Sequence, residues 1–148
     1  GDLSIILRPH PRDSRNNFYR LMKDKYHIQL SNSKKENSFE FLKKVDVNIA
    51  GESSVHLDAV LMNVYPIYFK FVNKTVDHYR YLRNKLITDQ FEDEKLLVTK
   101  LIEIKNKKPD IRHRAKYYVD TVNSTYDGRS VEKTLAIIKN FLAHKRTE

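Results

Sequence analysis

The sequence has no cysteine, which excludes disulfides, thiol nucleophiles and Cys-ligated zinc or iron–sulfur sites. It has no apolar run longer than five residues, where about 20 are needed to span a bilayer as a helix. No signal-peptide pattern opens it. The Lys-bearing Walker loop, the glycine-rich dinucleotide fingerprint and the HExxH zinc motif are missing. No internal repeat and no low-complexity tract is found. What is present is a basic, moderately hydrophobic chain of 148 residues, with 28 Lys and Arg against 19 Asp and Glu, a net charge of +9. That length argues for a single domain over 1–148, large enough to bury about two-thirds of its unfolded surface. The excess of positive charge favours an anionic partner. The start at Gly1, without Met, reads as a cut inside a longer protein or a tag scar.

Two periodicities alternate in the first half. Leu3-Ser4-Ile5-Ile6-Leu7 reads as an aliphatic strand buried on both faces. After Asp13-Ser14, a candidate N-cap, Phe18, Leu21 and Met22 recur at helical spacing. His27–Leu30 reads as a second strand, Ser31–Asn37 as a polar loop, and Ser38 as the cap of a short helix with Phe39 and Leu42. Asp46–Ala50 is a third strand. After Gly51, a helix starting at Ser53 or Ser54 carries Val55 to Met62, and Pro66–Phe71 is a fourth strand. Strands alternating with helices predict βαβ units. The second half is mostly helical: Leu97, Leu101 and Ile104 share one face before Pro109 ends the helix. Ile111, Ala115, Tyr118, Val119 and Val122 form a further stripe. Asp127-Gly128 is a turn, and Ser130 opens a last helix with Val131, Leu135, Ile138, Phe141 and Leu142. The expected fold is α/β, a Rossmann-like parallel sheet flanked by helices, with additional C-terminal helices.

Ligands of open parallel sheets bind beyond the carboxyl ends of the strands, and two segments there have distinctive composition. In Arg8-Pro9-His10-Pro11-Arg12, two prolines stiffen the loop around a histidine, and two guanidinium groups match phosphate. A strand exit with a merely solvated His10 is the competing reading. In Ala50-Gly51-Glu52-Ser53-Ser54-Val55, a glycine and two hydroxyls precede a helix start, whose outward amides favour a phosphate. An ordinary serine N-cap is the competing reading there.

The two segments together, about 40 residues apart, resemble the C-terminal nucleotide-binding half of two-domain GT-B glycosyltransferases. The nearest subgroup is bacterial: capsule and lipooligosaccharide sialyltransferases with His-Pro and Ser-Ser motifs, and CDP-glycerol polyol-phosphate transferases. The run Asp46–Ala59 followed by Pro66-Ile67-Tyr68 carries most of the likeness, which spans Leu3 to Phe71. The resemblance implies that His10, with Pro11 beside it, contacts the nucleotide phosphate and steadies the leaving group. It implies that Gly51, Glu52, Ser53 and Ser54 form the phosphate loop, that Arg8 lines the base pocket, and that Glu40 accepts the ribose hydroxyls. It further implies a CMP- or CDP-linked sugar as donor substrate, no separate cofactor, and inversion at the sugar carbon. The glycan acceptor would bind through an N-terminal domain outside this sequence, so the isolated chain is expected to be inactive. Its place would be cytoplasmic, on the inner membrane face, in surface-polysaccharide synthesis.

Other features invite blander readings. His56 is expected to be a surface or packing residue, Asp58 a solvent-side helix residue, and Asp77–Tyr81 a segment packed on the fourth strand. Arg112-His113-Arg114 and Lys116 form a basic face, either solvated or set against anionic lipid head groups. No metal site and no nucleic acid partner are expected, and a homodimer is left open. The alternatives are a noncatalytic flavodoxin-like binding module and a UDP-sugar epimerase-like enzyme.

Overall fold

A computed structural model describes residues 3–121 and 129–144, in two compact units that divide after Arg114. The first unit is mixed α/β. Its strands are β1 (Ile6–Leu7), β2 (Gln29–Leu30), β3 (Val47–Ala50), β4 (Tyr65–Phe69) and β5 (Gln90–Phe91). Its helices are α1 (Asn16–Tyr26), α2 (Ser38–Leu42), α3 (Val55–Leu61) and α4 (Glu94–Asn106). Every strand pair is parallel, as the alternating periods require, but the ladder is in two pieces: β1 pairs with β2, and β3-β4-β5 form a separate sheet.

β4 is the spine of the larger sheet. Tyr65, Pro66, Ile67 and Tyr68 are all buried. Pro66 is tolerated there because β4 meets β5 only from Tyr68 onward, so the proline's missing amide falls beyond the β5 ladder. Phe41, Leu42, Ala59 and Val64 form a core cluster, joined by Ile6, Val45, Val55 and Met62. α2 is closed by a capping box between Asn37 and Glu40, so the cap lies one residue before the expected Ser38. The Ser38 hydroxyl instead donates to Asp58 Oδ2 at 2.8 Å, tying α2 to α3. Asp58 is therefore an inter-helix acceptor.

The expected face of α4 is found: Ile104 is buried, Leu97 and Leu101 half-buried. Asp93 caps this helix through the amides of Lys95 and Leu96. β5 has no aliphatic run to announce it. Leu86 and Ile87 are buried core residues just before it.

Two stripes depart from expectation. In α1 only Tyr19 is buried, whereas Phe18 and Leu21 are exposed. Asp13 is not the N-cap. Its carboxylate takes the Arg15 guanidinium and the Tyr19 hydroxyl, and these bonds hold its pKa well below the usual carboxylate range. They turn Tyr19, rather than Phe18, inward. The second unit contains α5 (Lys116–Thr121) and α6 (Ser130–His144). Val131, Leu135, Ile138, Phe141 and Leu142 of α6 are exposed. Val122 and Asp127-Gly128 lie outside the described residues. No described helix is long and apolar enough to cross a membrane.

Candidate functional site

The carboxyl end of β1 delivers Arg8-Pro9-His10, and that of β3 delivers Gly51 to Ser54. The chain order runs β2-β1 in one sheet and β3-β4-β5 in the other. The two loops thus leave the carboxyl ends of parallel strands in two separate sheets, and ligands of open parallel sheets bind beyond such ends.

On the β1 side, His10 and Pro11 are exposed. The imidazole Nδ1 accepts from the Arg12 amide at 3.1 Å, and the His10 carbonyl accepts from the Asp13 amide at 2.8 Å. This tight turn holds the ring as an acceptor at Nδ1, so the proton sits on Nε2 in the neutral form. Arg8 behaves differently from its expected role. Its Nη2 donates to the Glu36 carbonyl at 2.9 Å and its guanidinium lies 5.4 Å from the Phe41 ring centroid. Its Nε is buried without a partner. Arg8 thus braces the β2–α2 loop, together with Ser31 and Lys44, which both bind the Glu36 carboxylate. The Lys44 ammonium and the Ser31 hydroxyl hold that carboxyl below its ordinary pKa.

On the β3 side, the loop is built around a residue expected only at the surface or in packing. His56 is fully buried. Its Nε2 lies 2.9 Å from the Gly51 carbonyl, and its Nδ1 lies 3.1 Å from Asn48 Nδ2. A carbonyl only accepts, so Nε2 carries the proton; Nδ1 is then free to accept from the Asn48 amide, and the ring is neutral. Burial pushes the His56 pKa down, against the smaller upward pull of the Gly51 carbonyl and Glu52. The Tyr81 ring meets His56 edge-on at 6.4 Å, and the Tyr81 hydroxyl reaches the Ser54 carbonyl at 3.5 Å. Glu52 Oε1 accepts from the Tyr79 amide at 3.1 Å. The Asp77–Tyr81 segment therefore braces the β3–α3 loop, a contact that no local pattern announces.

Within that loop, Ser53 Oγ accepts from the Val55 amide at 3.4 Å. Ser54 is exposed and its side chain makes no capping bond. Gly51 adopts no positive φ, and a Cβ there would meet Phe71 at an ordinary 3.5 Å. Neither space nor backbone conformation demands glycine at that position. Glu40, the expected ribose acceptor, uses Oε2 to accept from the Asn37 amide at 2.9 Å.

The structure thus places His10 and Pro11 after the end of β1, and Gly51, Glu52, Ser53 and Ser54 after the end of β3. It gives Arg8 and Glu40 structural work. A separate cavity of about 180 Å³ is lined by Tyr65, Lys100, Glu103, Ile104, Lys107 and Pro109. It lies at the amino end of β4, away from these loops. Part of the expected basic face is also engaged. Arg112 forks onto Asp110, while Arg114 donates to Thr88 at 3.0 Å and stacks over Tyr65. Among the described residues, no three His, Asp or Glu side chains group as metal ligands would.

No protein-family model matches the chain, and no solved structure matches it. Over 131 residues, 85% of the chain, it is 29% identical to reticulocyte-binding protein homolog 1 of Plasmodium falciparum. The chain spans about 4% of that protein's length, a share that leaves the activity of the larger protein with the larger protein.

Proposed function

We propose that this chain is the nucleotide-sugar-binding domain of a bacterial inverting glycosyltransferase with a CMP- or CDP-linked donor, acting in surface-polysaccharide synthesis. One observation carries the reading: the His-Pro turn and the Gly-Glu-Ser-Ser loop, distant in sequence, each follow the carboxyl end of a parallel strand, β1 and β3. His10 Nε2–H and the Ser53 and Ser54 hydroxyls are then the donors offered to a departing phosphate. Donors already held in place stabilise charge as it develops on the leaving group, without reorganising. The Asn48–His56–Gly51 network serves this by keeping the loop rigid from beneath. The acceptor and its general base belong to a second domain, so binding without turnover is the expected behaviour of the chain alone. A cytoplasmic location at the inner membrane face follows from that role.

Isothermal titration with CMP, CDP, UDP and GDP tests this. Saturable binding of a cytidine nucleotide, lost in His10→Ala and in the Ser53→Ala/Ser54→Ala double variant, is expected. Unchanged binding in both variants, or no binding to the natural full-length protein, overturns it. Preference for UDP favours the epimerase-like reading. The engagement of Arg8 and Glu40 in internal bonds favours a second reading, a noncatalytic flavodoxin-like module, under which neither variant changes any property but stability.

A further inference from the structure

Beyond the carboxyl end of β4 an aromatic ring stands outside the core. Phe71 is 70% exposed. β3 and β4 are parallel neighbours with Ala50 opposite Tyr68, so their carboxyl ends open on the same side and Gly51 comes beside Phe71. A Cβ on Gly51 would lie 3.5 Å from Phe71 Cδ2 and 4.0 Å from Cε2. One edge of the phenyl ring therefore borders the Gly51–Ser54 loop. Phe69 supports the ring from within the sheet, at 5.0 Å between centroids and a tilt of 58°.

The loop that this ring borders is held in place. His56 Nε2 donates to the Gly51 carbonyl, the Tyr79 amide donates to Glu52, and the Tyr81 hydroxyl reaches the Ser54 carbonyl. The brace is itself under backbone strain. Arg80, between the two tyrosines, has a φ of 57°, which costs a residue with a Cβ free energy. Across that turn the Tyr79 and Tyr81 rings stack at 5.1 Å with 15° between their planes. A phenyl ring open to solvent beside a fixed loop is a preorganised surface, and a ligand that covers it has little protein left to order. We infer that Phe71 is the platform on which the nucleobase of the bound nucleotide stacks.

This rests on the nucleotide reading of the Gly51–Ser54 loop and adds to it the place of the base. Arg8, the residue expected there, is engaged with the Glu36 carbonyl and the Phe41 ring, so the role is open. Gly51 and Ser53 are two residues apart, at most about 7 Å of chain. A single ribose spans a similar distance between a 5′-phosphate and its base. A phosphate on the Ser53 and Ser54 hydroxyls thus leaves the base within reach of the ring beside Gly51. A base is planar and offers a π face to an aromatic side chain. An extended peptide is a poorer occupant, because β4 is already paired with β3 on one edge and β5 on the other. Stacking is tolerant of which base is present, so Phe71 sets affinity and leaves the choice among bases to other groups.

The test is calorimetric titration of the 148-residue chain with CMP and UMP, in the wild type, Phe71→Leu and Phe71→Tyr, with proton NMR of the base H5 and H6 in each complex. Leucine keeps an apolar side chain and removes the π face; tyrosine keeps the ring. The expected result is that Phe71→Leu weakens CMP and UMP alike, by at least ~5-fold, and that Phe71→Tyr binds as the wild type does. The H5 and H6 signals should move upfield in the wild-type complex, under the ring current, and lose that shift in Phe71→Leu. Unchanged affinity in Phe71→Leu, with binding still lost in Ser53→Ala/Ser54→Ala, overturns the inference and leaves the nucleotide reading standing. An upfield shift that survives in Phe71→Leu, or none in the wild-type complex, overturns it too. A wild-type chain that binds neither nucleotide takes the nucleotide reading down along with it.

Discussion

The two sheets are made from similar material and have different fates. Leu3–Leu7 is as aliphatic as Val47–Ala50, yet only Ile6 and Leu7 form a ladder, and Leu3 and Ile5 stay exposed. β3 pairs along its whole length with a β4 that is itself covered on its second edge by β5. Burial of a strand depends on its neighbours at least as much as on its own side chains. The same contrast separates the helices. α3 buries His56, Ala59 and Val60, while α1, whose expected stripe was Phe18, Leu21 and Met22, buries Tyr19 alone.

The largest expected break in this comparison is a core truncation. Ile67→Ala or Leu42→Ala, each at a fully buried site, should cost about 2–5 kcal/mol. Leu21→Ala, on the open face of α1, should stay within about 0.5 kcal/mol. Urea denaturation followed by circular dichroism reads both; equal losses would mean that the β1–α1 region is packed as tightly as the β4 spine.

The next effect concerns the loop beneath Ser53. Asn48→Ala leaves His56 Nδ1 buried without a donor, which should cost about 1–3 kcal/mol and speed amide exchange from Gly51 to Val55. An unchanged exchange profile would detach the network from the rigidity of the loop.

His56 also sets a pH dependence. Its folded pKa lies below the unfolded value near 6.5. Between those two values the unfolded chain binds a proton that the folded chain does not, so stability is full above about 6.5 and falls as the solution is acidified. The slope is at most ~1.4 kcal/mol per pH unit for one group. Melting temperatures between pH 7.5 and 5.5 should decline in the wild type and flatten in His56→Gln. A decline of the same size in both would assign it to other groups.

The smallest effect is at Gly51. With no positive φ and an ordinary contact for a Cβ, Gly51→Ala should be neutral or stabilise by up to about 1 kcal/mol, through the unfolded chain. If nucleotide affinity drops while stability holds, the glycine is needed for close approach of a ligand rather than for folding.

Much of the fold was legible in the chain. The alternation of aliphatic runs with helical stripes, and Pro109 as a stop, follow from local periodicity and backbone sterics, which each segment carries by itself. So does the delivery of His10 and Ser53-Ser54 to strand ends. The partners of those residues were not legible. Arg8 looked like a free phosphate fork and turned out to brace Glu36; Glu40 looked like a sugar ligand and closes a capping box. His56 looked like a surface or packing residue with nothing acidic at a useful spacing, and its partners Asn48 and Gly51, which close on it across a turn, were not foreseen. β5 was missed because Gln90-Phe91 has no alternation to read, its pairing coming wholly from the exposed second edge of β4.

Composition and spacing by themselves determined a basic, cysteine-free α/β chain with parallel units, because propensity and periodicity act within a few residues of chain. Only the tertiary structure decided that the ladder is in two pieces, that Tyr19 rather than Phe18 turns inward, and that His56 is a neutral interior hydrogen-bonding residue. Those outcomes depend on which edges and faces find neighbours: even the Asp13–Tyr19 and Asn48–His56 bonds, 6 and 8 residues apart, follow no helical or strand period.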